Sequence, residues 1–224
     1  MRRFAFENGL SLFFGTIFLA TLVGQSLAGQ HAYNAEQLEH GSEPVSWLDY
    51  VFSPDFGGNV LENWQSEFLQ FTLFILATVW LVQKGSNESK ELDSVGLESK
   101  QAQRLEGFAP ENGPRWAKMQ DFRRVLYENS LLVTMATLFL LMWLGQSLNN
   151  WREFNAEQRE HDESTVSWGS YLLDPDFWDK TLQNWQSEFL AVGTMAVFTI
   201  YLRQRGSPES KPVGAPHDET GSSG

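Results

Sequence analysis

The run Asn-Trp-Gln-Ser-Glu-Phe-Leu occurs twice in this chain, at 63–69 and at 184–190. On a helix Asn63, Ser66 and Glu67 stand at i, i+3 and i+4 and share one face, as do Asn184, Ser187 and Glu188. Each run leads directly into an apolar block, so its carboxylate sits at the edge of that block. A charge at such a depth is costly and is met by water or by a polar partner. Gln25 and Gln146, one on each preceding helix, fall at the same expected height. These eight side chains would form a pseudo-symmetric polar chamber with two carboxylates, suited to a cation, protons or a small polar solute. The plainer reading is that Glu67 and Glu188 anchor their helices at an interface through hydrogen bonds.

A second repeated cluster is Glu36, Glu39 and His40, matched by Glu157, Glu160 and His161. On a helix each trio shares a face, and two carboxylate-histidine sets could hold a divalent metal between them. The spacing matches no strong metal signature, and a solvated acidic helix face explains it equally. A third pair, Glu7-Asn8 and Glu128-Asn129, opens two helices, where a carboxylate complements the helix dipole. Walker loops, dinucleotide fingerprints and nucleophile motifs are missing from the sequence. With no cysteine the chain has no disulfide, thiolate ligand or thiol nucleophile, and a net charge of −12 disfavours nucleic acid as a partner.

The elements that must position these groups are apolar. Four blocks, roughly Gly9 to Val23, Phe68 to Val82, Leu131 to Leu144 and Phe189 to Leu202, are separated by strongly polar segments. Each is about 14 to 16 residues, whereas a bilayer core takes about 20 at the helical rise. Their polar flanks must therefore enter the interfacial region. Of sixteen Lys and Arg residues, only Arg152, Arg159 and Lys180 lie in the two long loops between blocks. The positive-inside rule then places both termini and the central linker in the cytoplasm.

Shifting the sequence by 121 positions aligns 3–90 with 124–211 without a gap, and about 40 of roughly 88 pairs are identical. The expected architecture is an all-α membrane protein of four transmembrane helices, made from two tandem helix-hairpin repeats of equal orientation with partly helical extracytoplasmic loops. Repeat one covers 1–90, with spans at about 7–28 and 62–83 and an outer loop at 29–61. A cytoplasmic linker follows at 91–120. Repeat two covers 121–211, with spans at about 128–149 and 183–204 and a loop at 150–182; 212–224 reads as a disordered tail. Residues 1–28 imitate a secretory signal peptide, but Arg124 to Leu148 has the same layout in mid-chain, so the first helix is expected to be retained.

Each outer loop is about 35 residues and rich in Trp, Tyr and Phe, too long and too aromatic to be a bare connection. Asn34 and Gln37 read as a capping pair for a short helix through His40. Ser53-Pro54 and Asp174-Pro175 each offer a cap with proline at the first helical position. A helix from there could run on into the second span, with Gly57-Gly58 a point where it could break. Trp47, Tyr50 and Trp64, with Trp168, Tyr171 and Trp185, suit an aromatic belt.

With these residues in view, the chain resembles a family of bacterial integral membrane proteins catalogued only as a domain of unknown function. The resemblance rests on Arg3-Phe4, Glu7 to Ser11, Val23-Gly24-Gln25, Glu62 to Glu67, and Lys84-Gly85-Ser86 with Glu88-Ser89-Lys90. It covers nearly all of the chain outside the linker and tail. It implies a bacterial cytoplasmic membrane and supplies no activity, substrate or catalytic residue. The functional expectation is a non-catalytic membrane protein that recognises a ligand or partner at its outer face, with the bilayer as its surroundings and a second copy or another membrane protein as candidate partner. The alternative is a small solute, proton or cation transporter using Glu67 and Glu188, and the third reading a metal-dependent membrane enzyme.

Overall fold

A computed structural model describes residues 2–92, 113–119 and 121–221. Among them the chain is all-α, without strands. In order come α1 (Arg2–Glu7), α2 (Gly9–Glu39), α3 (Trp47–Val51), α4 (Pro54–Trp80), a 3-10 turn at Arg115–Lys118, α5 (Phe122–Glu128), α6 (Ser130–Glu160), α7 (Trp168–Tyr171) and α8 (Pro175–Tyr201). Most of the expected linker lies outside the described residues.

Two helices, α2 and α6, are long and apolar enough to cross a membrane, and almost none of their apolar stretches is buried. Among the described residues the expectation of four such helices is therefore met by two. Both α4 and α8 have 27 residues, but the Asn-to-Glu runs at 63–67 and 184–188 dilute their apolar content.

The first helix of each half runs further than its apolar block. The expected short helix from Asn34 does not start afresh; α2 continues to Glu39, because Ala28 to Tyr33 contains a single glycine and no proline to stop it. Its end is a Schellman turn: Gly41 N–H donates to Leu38 O at 3.2 Å and Ser42 N–H to Gln37 O at 2.8 Å. The end of α6 repeats it, with Asp162 N–H on Arg159 O at 3.2 Å and Glu163 N–H on Gln158 O at 2.7 Å. The residue in the left-handed region is Gly41 (φ 76°) in one and Asp162 (φ 57°) in the other.

Pro54 and Pro175 do start the second long helices, and Asp174 caps α8 by accepting from Asp176 N–H at 2.9 Å. Gly57-Gly58 leaves α4 unbroken. Its role is close approach: a Cβ on Gly58 would collide with the Asn150 side-chain oxygen.

The chain forms two compact units, one of Met1–Leu61 with Gly145–Tyr171 and one of Glu62–Leu144 with Leu172–Gly224. In the first, Tyr50, Phe56 and Val60 are buried with Tyr171. In the second, Trp143 is ringed by Phe139, Phe177, Trp178 and Trp185 at centroid distances of 5.8 to 6.3 Å. Such aromatic packing contributes beyond its buried area.

In the second unit, α4 and α8 end in the same kind of turn. Ser89 Oγ accepts from Gln83 N–H at 3.0 Å and Ser210 Oγ accepts from Gln204 N–H at 2.8 Å. Lys90 then donates to Val79 O at the end of α4. Lys211, fully buried, instead donates to the carbonyls of Pro216, His217 and Glu219 at 3.0 to 3.1 Å. Burial foremost, then the charge of Arg203, holds its ammonium below the ordinary lysine range. The segment to Gly221 is further tied by Gly85 N–H on Thr220 Oγ1 at 2.9 Å and Gly221 N–H on Ser86 O at 3.1 Å.

Candidate functional site

Two regions carry the side chains of interest. In the first unit the segments that follow α2 and α6 lie back along their helices and are fastened by side chains. Asn34 grips Val45 by both backbone groups, Nδ2 donating to its carbonyl at 3.0 Å and Oδ1 accepting from its N–H at 2.8 Å. Asn155 grips Val166 identically, at 2.9 and 2.8 Å. Trp47 Nε1 donates to Ser26 Oγ at 3.1 Å, and Trp168 Nε1 to Ser147 Oγ at 3.2 Å. Where Gln30 adds a third bond to Val45 O, Trp151 takes its place on Val166 O. Residues 26, 30 and 34 lie four apart, so one helix face does all the holding.

Tyr50 completes this region. It is buried between Tyr33 and Phe56 at centroid distances of 5.6 and 5.4 Å. A Cβ at Gly29 would strike its hydroxyl, so only glycine lets the ring lie there. The hydroxyl hydrogen-bonds to Asp55, and burial first, then that carboxylate, pushes the phenol above the ordinary tyrosine range. Tyr171, with no exposure at all, packs on Phe154 at 5.3 Å.

In the second unit α4 and α8 meet along a polar seam. Asn184 Nδ2 donates to Glu62 Oε1 at 2.7 Å, and Trp185 Nε1 donates to Gln65 Oε1 at 2.9 Å. Ser66 Oγ donates to Asn63 O at 2.8 Å, and its hydroxyl lies near Glu188, which also feels the charge of Glu67. The face of α4 that packs is 62, 65, 66 and 69, one residue round from the face expected from Asn63, Ser66 and Glu67. Asn63 and Glu67 are accordingly exposed, as is Ser187, while Asn184 and Glu188 are half-buried. Gln25 is exposed and Gln146 buried, both in the first unit. Sequence reasoning missed Glu62 and Gln65; the signal for Gln65 was its presence in both copies of the motif.

The six metal candidates, Glu36, Glu39, His40, Glu157, Glu160 and His161, are all exposed. Among the described residues no group of three or more His, Asp or Glu side chains comes together to hold a metal. At the helix starts, Glu7 pairs with Arg3 at 2.7 Å and Glu128 with Arg124 at 3.2 Å. Asn8 and Asn129 turn their amides back onto Phe4 O and Val125 O, at 2.9 and 2.8 Å. Their role is to shape the break between a short helix and a long one.

A family model described as a domain of unknown function, DUF6766, matches residues 1–222. The chain belongs to the DUF6766 family. No curated protein and no solved structure matches it. Membership fits the resemblance to an uncharacterised family. For a DUF6766 chain the chemistry must therefore be argued from side chains: the loop fastenings are built around backbone groups, and the α4–α8 seam around carboxylates and amides.

Proposed function

We propose that this DUF6766 protein is an integral membrane protein of four spans whose outer loops form a rigid, non-catalytic recognition surface for a ligand or partner. The observation that carries the reading is the double grip of Asn34 on Val45 and of Asn155 on Val166. A spacer between spans needs no such fastening, and its ordering costs about 1 to 2 kcal/mol per residue in backbone entropy. Membrane residence is supported by the exposed apolar sides of α2 and α6, since a helix at the core of a soluble protein would bury them. Because α6 lies in mid-chain, a signal peptide does not account for it. The two spans that α4 and α8 would add are supported by their 27-residue lengths and by the charge balance of the loops.

The surface so held presents Leu48 and Phe52, the latter 85% exposed. Photo-cross-linkers placed at these two positions in intact cells test the reading. A discrete protein or small-molecule adduct that disappears with Asn34→Ala is the expected result. Adducts to lipid alone would show that these side chains are membrane anchors and would remove the recognition role.

A second reading is favoured by one observation, the proximity of Glu67, Ser66 and Glu188 along the α4–α8 seam. It makes the protein a small transporter of protons or cations. Flux into liposomes that falls at least tenfold in Glu67→Gln/Glu188→Gln would support it, and equal flux in wild type and variant would dismiss it.

A further inference from the structure

The second unit contains a cavity of about 180 Å³ apart from the seam. Phe71 and Phe74 of α4 and Met195 of α8 give it an apolar wall, while Gln70, Glu88 and Glu209 supply its polar atoms. The two acids come from equivalent places, each in the Gly-Ser-x-Glu-Ser-Lys turn that follows its helix, 121 residues apart. Among the described residues neither has an ion-pair partner, for the two lysines of those turns are engaged with backbone carbonyls. Glu88 Oε1 is buried and accepts no hydrogen bond. A buried acceptor left in that state is destabilising, the more so when charged, so a donor brought to it would be favoured.

We propose that this cavity is a binding site for a protonated primary amine carrying an apolar group, with Glu88 as its principal acceptor and Glu209 as the second carboxylate. Among the described residues no three acids or histidines gather for a divalent metal, and the apolar wall of the cavity offers such an ion no ligand. An ammonium needs only acceptors for its N–H groups, and aromatic rings such as Phe71 and Phe74 favour a cation over their faces. The apolar wall then takes the substituent. Burial foremost, then the charge of Glu209, holds Glu88 above the ordinary carboxylate range, as expected of a carboxylate lacking its counter-ion. The site is independent of the loop surface proposed above. Its amine could be a free small molecule or the headgroup of an aminophospholipid, which offer the same ammonium.

The test is calorimetric titration of the purified, delipidated full chain in detergent with phenethylammonium. One saturable site is expected, weakened at least tenfold by Glu88→Gln and by Ala191→Phe, which fills the cavity without altering its charge. The neutral analogue 2-phenylethanol should bind at least tenfold more weakly than the amine. Repeating the titration in nanodiscs identifies the source: suppression by phosphatidylethanolamine but not by phosphatidylglycerol assigns the site to a lipid headgroup, and no suppression assigns it to a free amine. Absence of saturable binding, equal binding of the alcohol, or binding by folded Glu88→Gln within twofold of wild type would overturn the proposal.

Discussion

Asp162 and Gly41 occupy the same place in two helix-ending turns, and only one of them suits it. Both sit at positive φ, 57° and 76°, where a side chain crowds its own backbone. Asp162→Gly should therefore stabilise the protein by about 0.5 to 1 kcal/mol, and Gly41→Ala should destabilise it by about 1 kcal/mol. Thermal unfolding in detergent would read both, and a lower melting temperature for Asp162→Gly would refute the argument. Tyr50 makes a different demand. Its neutral phenol is the form the fold favours, since burial and then Asp55 raise its ionisation. The stability it contributes is fully present below the unfolded value of about 10 and is lost as pH rises beyond it. Tyr50→Phe should cost about 1.5 to 3 kcal/mol at neutral pH through the lost bond to a charged acceptor. It should also flatten the alkaline limb of a stability profile, and an unchanged limb would show that Tyr50 is not its source.

At the scale of elements the loops depend on very few side chains. Asn34→Ala removes two hydrogen bonds and leaves the Val45 backbone to find water, a loss of about 2 kcal/mol at about 1 kcal/mol per bond. Opening of the loop should rise about thirtyfold, visible as faster proteolysis between Gly41 and Ser46, with the helical circular dichroism unchanged. Asn155→Ala should do the same between Asp162 and Ser167. Uniform destabilisation of the whole chain would instead show that loop and helices melt together. The helices themselves were legible in the sequence because apolar blocks and proline caps report local preference, as Pro54 and Pro175 illustrate. The grip of Asn34 was not, because its partner lies eleven residues away and is a backbone group, invisible to any pattern of side chains. The same holds for the α4 face. The i, i+3, i+4 rule groups residues into faces without saying which face packs, so Asn63 and Glu67 read as candidates where Glu62 and Gln65 make the contacts. Residues 206–221 carry no apolar period, and what holds them is a buried lysine on carbonyls, an interaction without a sequence signature.

For the whole molecule, the proposed topology rests on charge, and charge can be read directly in a chain without cysteine. Single substitutions report their own exposure free of any background thiol. Ser42→Cys and Glu163→Cys lie in the two outer loops at matching positions, while Arg115→Cys and Val213→Cys lie in the linker and tail. All but the first two should be protected from an impermeant maleimide in intact cells, and all four should react once the membrane is opened. Moving the eight Lys and Arg residues between Lys84 and Arg124 to the outer side would set them against the bias that orients helices, whereas the outer loops carry only three. An even number of crossings per half then requires Ser42 and Glu163 to agree. Labelling of one and protection of the other would mean that α4 does not cross, and labelling of Val213→Cys together with both loop positions would mean that α8 does not, as the weaker apolar content of those two helices would allow. In that event the α4–α8 seam would lie in water, and its carboxylates would need no membrane role.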